Sequence, residues 1–387
     1  MDLNEDLVVE IISHLPLKFA IQCKVLCKNF NTRISDPKFS QTWLFQHQKI
    51  ISILIYSSDR VSKNFHKISI NSIRANHYKT TLPVQVEVLA SCKGLLLLNF
   101  HQVRSFCVFN PITGAHQLIP HPKCKTYKHT IGDTGFVVDY PTSDQYKLVR
   151  VGKLAKEEGY RFQVFSSEES GGVWHEFRSR MKLQLGNTFS YLVAGSRPVY
   201  VHDSLHWLTC DRRILAFNTK RKEAIILNFP DFINHTHDFI YDKWLGVVQV
   251  LLTLICTFEE FVVISAYDYL SNNWRVSHTV ANFITGLDGY NYCFPVCFDS
   301  KQVLFLVNRI LEQYDEQYDE LYEYDSKMNE YKIAAVLDKG NAISSSPYTF
   351  EPTLASVHKT LSDTVTAKHL STITATLDEL RRFITDS

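Results

Sequence analysis

Two kinds of apolar spacing divide this chain. Leu7, Val8, Ile11, Ile12 and Leu15 fall at i, i+1, i+4, i+5 and i+8, the spacing of one wide apolar helix face. Pro16 stops that helix, because the residue before a proline is pushed out of the α region. A second stripe, Ala20, Cys23, Cys27, Phe30 and Ile34, advances in steps of 3, 4, 3 and 4, with Lys24, Lys28 and Arg33 on the other side. On this pattern Cys23 and Cys27 read as core. Ser35-Asp36-Pro37 breaks the second helix, and Phe39, Trp43 and Leu44 predict a further short turn. Three or four short helices bury little surface by themselves. The unit needs a partner surface.

From Ile50 onward the pattern changes to short runs of Val, Ile, Phe and Tyr separated by polar turns, the mark of strands. An apolar residue, an aromatic and then Asn, Asp or Ser recurs at Val108-Phe109-Asn110, Val164-Phe165-Ser166, Ala216-Phe217-Asn218 and Ala266-Tyr267-Asp268, with Glu323-Tyr324-Asp325 as a variant. The aromatics lie 56, 52, 50 and 57 residues apart, a period that fits a propeller blade of four short strands. Trp174, Trp274 and Tyr331 follow three of them by 7–9 residues, as a tight return to an outer strand requires. Five blades are visible, and the flanking strands near Ile51–Tyr56 and Tyr348–Val357 supply material for one more. The expected fold is therefore α+β and multidomain: a helical bundle over 1–48, an all-β, propeller-like domain over 49–357, and a tail over 358–387. The tail is Ser/Thr-rich, with one helical stretch at Leu377–Ile384.

Composition supports the β reading: 25 Phe and 19 Tyr stand against 14 Gly and 3 Met. Lys+Arg total 41 and Asp+Glu 40, which argues against a nucleic-acid binder with a basic face. Nine cysteines, an odd number, and an N-terminus with four carboxylates and no basic region point to the reducing cytoplasm or nucleus rather than to a secreted disulfide framework. The longest apolar stretch, Leu245–Phe258, is too short to span a membrane.

Candidate chemistry is thin. No phosphate-binding glycine loop, nucleophile elbow or zinc-protease motif occurs, and we expect no cofactor, no metal and no catalytic residue. Cys293 and Cys297, with His235 and His237, form the one conceivable metal set. The two thiols sit in a strand-like run, Tyr292–Phe298, where buried cysteine is common. His206, beside Trp207, reads as a strand histidine. Glu312–Asp325 carries seven carboxylates and four tyrosines. It reads as a lengthened, solvated hairpin, with an acidic rim for a basic partner as the alternative.

The N-terminal residues Leu3, Leu7, Ile11, Leu15-Pro16, Lys18, Val25, Cys27-Lys28, Phe30 and Ile34–Phe39 resemble the plant F-box motif across about 40 residues without a gap. Asn4, Ala20 and Phe30 stand where that family usually has proline, leucine and tryptophan. Each is expected to trim apolar contact at the partner groove. Further on, Ser91-Cys92-Lys93-Gly94-Leu95-Leu96, Phe109-Asn110-Pro111-Ile112-Thr113-Gly114, Gly135-Phe136, Tyr146–Arg150, Leu205-His206-Trp207 and Ala216-Phe217-Asn218 resemble the plant F-box-associated, kelch-like domain. The resemblance implies a non-catalytic substrate-recognition subunit of an SCF-type, cullin-RING ubiquitin ligase. Leu3, Leu7, Ile11, Leu15, Pro16, Val25, Cys27 and Phe30 would then dock on a Skp-type adaptor, and through it on cullin and RING subunits. The β-domain would present an unidentified protein substrate. A non-ligase scaffold with a degenerate F-box, and a propeller enzyme, are the alternatives.

Overall fold

The computed structural model describes residues 4–15, 17–36, 38–39, 42–43, 51–58, 63–70, 75–122, 133–153, 159–169, 172–180, 192–193, 196–235, 240, 242–282, 290–298, 302–311, 316–325, 328, 330–339, 348–357 and 367–386. Among them, three α-helices and a 3-10 turn precede β-strands arranged in six four-stranded antiparallel sheets. The innermost strands contact one another in turn from 348–350 through 87–92, 134–138, 199–201 and 242–248 to 290–298, and the outer strands 75–81 and 330–339 meet at the remaining junction, so the sheets are the blades of a ring. Five blades are built from consecutive strands: 87–120, 134–180, 199–228, 242–281 and 290–339. We number these blades 2 to 6.

Blade 1 is composite. Strands Ile51–Ser58, Lys63–Ile70 and Ala75–Thr81 come from the start of the domain, and the innermost strand, Tyr348–Phe350, comes from its end. Ser52, Ile53 and Leu54 pair with Phe350, Thr349 and Tyr348. The ring is thus closed by a short antiparallel seam, and the two flanking strands expected from the sequence do form one blade.

Each recurring aromatic lies on the third strand of its blade. Phe109, Phe165, Phe217, Tyr267 and Tyr324 belong to strands Ser105–Phe109, Gly159–Ser166, Arg213–Asn218, Phe261–Asp268 and Glu316–Asp325. The expected return to an outer strand is visible in the register: Phe165 is opposite Trp174, Tyr267 opposite Trp274, and Tyr324 opposite Tyr331. Ring centroids in the three pairs are 5.7, 5.1 and 4.6 Å apart, within the range of favourable aromatic contact. Each outer aromatic also reaches the preceding blade. Trp174 Nε1 donates to the Pro120 carbonyl at 2.9 Å, Trp274 Nε1 to Asn228 at 2.8 Å, and Tyr331 OH to Ala281 at 2.9 Å. Each acceptor is the last residue of its blade's outer strand. The repeat therefore encodes both the blade and the joint to its neighbour.

Blade 6 corrects the reading of the acidic segment. Glu316–Asp325 does form a long hairpin with Gln302–Leu311, as expected, but it is the third strand of the blade, also paired with Glu330–Lys339, and from residue 320 it is not solvated. Leu321, Tyr322 and Tyr324 are buried, and so are Glu320 and Glu323. Glu320 accepts from Tyr322 OH at 2.8 Å, and Glu323 pairs with Lys332 Nζ at 3.0 Å. The high charge hid a strand because alternate positions carry the apolar aromatics. Residues 312–315 lie outside the described residues. Glu320→Ala should therefore lower unfolding free energy by about 1–3 kcal/mol, the cost of removing a hydrogen-bond partner from the buried Tyr322 hydroxyl. Urea denaturation checks it, and a change within about 0.5 kcal/mol would restore the solvated reading.

Two turns shared with the F-box-associated motif fasten the C-terminal segment. Gly94 has φ +74, and a side chain there would come within 2.4 Å of the Glu351 carbonyl and of Thr353. Asn110 is buried. Its Oδ1 accepts from Ile112 N–H at 2.9 Å, and its Nδ2 donates to the Thr353 and Ala355 carbonyls at 3.2 and 2.8 Å. Residues 351–357 are thereby held against blade 2, and Ala355 and Val357 join the apolar cluster between blades 2 and 3.

The tail contains a longer helix than Leu377–Ile384 suggested. It spans Ala367–Asp386 and buries Ile373, Leu377, Leu380 and Ile384, spaced by 4, 3 and 4 on one face. Phe383 packs edge-on to Phe65 with centroids 5.9 Å apart. The buried Lys67 donates its Nζ to the Ile384 carbonyl at 2.7 Å, placing a cation at the negative end of the helix. One apolar cluster joins this helix, blades 1 and 2, and Ile12, Ala20, Ile34, Phe39 and Trp43 of the N-terminal helices. The helices are therefore not insulated from the ring. A fragment beginning near residue 48 keeps every strand and should show a β-dominated far-ultraviolet spectrum. It should also melt below the full chain, because it loses this shared apolar contact. An equal melting temperature would show the two parts to be independent.

Candidate functional site

The N-terminal module is built around a few local devices. Helix α1, Glu5–Ser13, starts at Asn4, whose side-chain oxygen accepts from Asp6 N–H at 3.1 Å. The wide apolar face of α1 serves two surfaces. Ile12 is buried and Val8 is half-buried against the core, whereas Leu7 and Ile11, also one turn apart, point outward. Helix α2, Leu17–Gln22, buries Ala20 and continues into a 3-10 turn at Cys23–Val25. Helix α3, Lys28–Ser35, buries Ile34, and Arg33 forms an ion pair with Asp6 of α1. Trp43 Nε1 donates to the Leu15 carbonyl at 2.7 Å.

The second stripe is not one continuous helix. Cys27 is extended, with φ −160 and ψ 164, and its Sγ caps α3 by accepting from Phe30 N–H at 3.4 Å. Cys27 is exposed, which corrects its reading as core, whereas Cys23 is half-buried and packs against the core cluster. The break turns Val25 and Leu26 to solvent. Leu7, Ile11, Phe19, Val25 and Leu26 have exposures of 48, 52, 52, 87 and 67%. Five outward apolar side chains within about 20 residues are more than the isolated exposures common on protein surfaces.

Of the residues expected to dock, Leu7, Ile11, Val25 and Cys27 are exposed, and Leu15 and Phe30 are half-buried against the core cluster. Leu3 and Pro16 lie outside the described residues. Phe19 and Leu26 belong to the exposed set but were not singled out by the sequence. Phe19 precedes the stripe residue Ala20, and Leu26 lies where the helical period fails, so spacing alone did not mark them. Of the departures from the family pattern, Ala20 is fully enclosed and Phe30 is half-buried against the core cluster, whereas Asn4 is exposed and caps α1 three residues before Leu7.

In the ring, His206 is buried. Its Nδ1 faces the Val199 carbonyl at 3.3 Å, and its Nε2 faces Tyr269 OH at 3.1 Å. Burial lowers its pKa to about 4, so it is neutral at physiological pH, as a strand histidine should be. Cys293 and Cys297 both fall in strand Tyr290–Phe298, which carries an irregularity between Pro295 and Cys297. Their side chains, and those of His235 and His237, lie outside the described residues. No helix among the described residues is long and apolar enough to cross a membrane.

A small helical module with outward apolar side chains thus precedes a six-bladed propeller. The F-box domain description matches residues 1–42, and the F-box associated beta propeller domain description matches residues 42–242. The chain belongs to the F-box proteins that carry an F-box associated beta propeller domain. Its relatives are F-box proteins of Arabidopsis thaliana. It is 22% identical over 373 residues to a putative F-box protein, covering 91% of this chain and 85% of the relative. It is 29% identical over 231 residues to a putative F-box/kelch-repeat protein, covering 57% and 49%. It is 26% identical over 340 residues to F-box protein CPR1, covering 78% and 79%.

Proposed function

We propose that this chain is the substrate-recognition subunit of an SCF-type cullin-RING ubiquitin ligase, acting in the cytoplasm and/or nucleus. The observation that carries the reading is the outward set Leu7, Ile11, Phe19, Val25 and Leu26 on an F-box module. These side chains would bury against the groove of a Skp-type adaptor, which links the module to cullin and RING subunits. The propeller would hold a target protein. Ligation chemistry resides in the other subunits, and this chain contributes proximity, raising the concentration of one target near the charged conjugating enzyme. That role asks for no catalytic residue. Of the three departures, Ala20 is fully enclosed and leaves the exposed set unaltered at that position, whereas Asn4 is exposed and Phe30 half-buried. Reconstitution tests it: the wild-type chain should co-purify with a Skp-type adaptor and, through it, with cullin. A folded chain that binds no adaptor of that class would leave the scaffold reading in its place.

A further inference from the structure

All inner strands of the ring run in the same direction, so their first residues lie at one mouth of the central channel. Tyr348 begins the inner strand of blade 1, and Val199 begins that of blade 4, on the opposite side of the ring. Arg197, two residues before Val199, spans the mouth. Its guanidinium carbon lies 3.3 Å from the centroid of the Tyr348 ring. Tyr348 is itself fixed, donating its hydroxyl to the Val88 carbonyl of blade 2 at 2.6 Å.

Arg197 Nε and Nη2 are enclosed and have no hydrogen-bond partner among the described residues, and the neighbouring Ser196 Oγ is in the same position. Glu87, whose charge acts on Tyr348, is engaged with His101 at 3.0 Å and Asn99 at 3.1 Å. Burial pulls the guanidinium down to about 10, and Tyr348 acts to raise it again, by charge and by a side-chain hydrogen bond that leaves Nε and Nη2 unused. It is still cationic at neutral pH. A buried cation with no counter-charge among the described residues is costly to keep. The two unpaired nitrogens also share one edge of the guanidinium plane. Their N–H bonds run parallel, the fork that matches the two oxygens of a carboxylate. The aromatic ring below fixes that plane in advance, so little side-chain entropy remains to be lost on binding.

We propose that Arg197 is a carboxylate-binding residue at the channel mouth, receiving an acidic group of the peptide that the propeller recognises. The identity of that peptide as a ligase target rests on the function proposed above; the binding itself does not. The carboxylate could be a side chain or a chain terminus, and the fork serves both. The test uses the full chain and four probes in titration calorimetry. These are a blocked glycine pentapeptide with a central glutamate, an unblocked-terminus glycine pentapeptide, a fully blocked glycine pentapeptide, and a blocked pentapeptide with a central phosphoserine. One or both carboxylate probes should bind saturably and the fully blocked probe should not. Arg197→Lys, which keeps the charge and loses the fork, should weaken binding by about tenfold or more. Arg197→Met should abolish binding and yet melt no lower than wild type, since it removes an unpaired buried charge. The proposal is overturned if neither carboxylate probe binds, if Arg197→Lys binds as well as wild type, or if the phosphoserine probe binds tighter than both. A markedly lower melting temperature for Arg197→Met would also overturn it, by showing the guanidinium to be a structural prop. Adaptor co-purification should be unchanged in both variants. A chain that binds the probes but no adaptor would keep this site and lose the ligase function.

Discussion

Ile11→Asp combined with Val25→Asp should remove co-purification with a Skp-type adaptor and leave the propeller intact. Both side chains are more than half exposed and sit on different elements of the helical module. Burying an apolar side chain of this size gains about 1.5–3 kcal/mol, so losing two exposed portions removes about 3 kcal/mol. At about 1.4 kcal/mol per tenfold, that alone is a hundredfold or more in affinity, and two carboxylates in an apolar groove add to it. Because neither residue packs into the shared core, the melting temperature of the chain should change little. Leu15→Ala makes the contrasting control. Leu15 is half-buried against the core cluster and its carbonyl receives Trp43. Its truncation should lower stability as well as adaptor affinity, so it confounds the two. Binding measured on immobilised adaptor, with melting followed in parallel, separates these outcomes. Undiminished binding of the double variant would place the docking face elsewhere.

The second large effect concerns the C-terminal helix. Leu380 is fully enclosed, and Leu380→Ala should cost about 2–5 kcal/mol, the range for emptying a well-packed leucine site. That is a large share of the roughly 5–15 kcal/mol that holds a typical protein folded. Ending the chain at residue 357 removes Ile373, Leu377, Leu380 and Ile384 together, uncovers the apolar surface they pack on, and takes from Lys67 the helix terminus it caps. The truncated chain should be largely insoluble, or should melt far below the full chain. Soluble yield and thermal denaturation measure this. A truncated chain that melts like the full one would return the tail to a loose extension.

Much of the architecture was legible in the chain because repetition amplifies weak local signals. One aromatic followed by Asn or Asp says little, but five at intervals near 50 specify a blade and place its third strand. Trp174, Trp274 and Tyr331 were legible as outer-strand partners because a tight return leaves a short, countable gap. The helical module was also legible from its periodicity, from Pro16 and from its family pattern. What the sequence determined by itself was therefore local: which segments are helix or strand, how they repeat, and which family they resemble.

Tertiary structure decided which of two apolar faces looks outward. The spacing of α1 gives one broad face, and only packing assigns Ile12 to the core and Ile11 to solvent. The break at Cys27 exposes Leu26 in the same way, because a cap geometry that interrupts a helix leaves the periodic stripe apparently unbroken in the sequence. The acidic strand of blade 6 was misread since burial of Glu320 and Glu323 depends on Tyr322 and Lys332, partners that alternation does not reveal. The joining of the C-terminal helix to blades 1 and 2 and to the N-terminal helices is a long-range event, and so is Arg197 meeting Tyr348 across the channel. Local spacing carries no information about residues brought together by closing a ring. That closure is where this protein's composite blade, its clasp and its channel mouth were made.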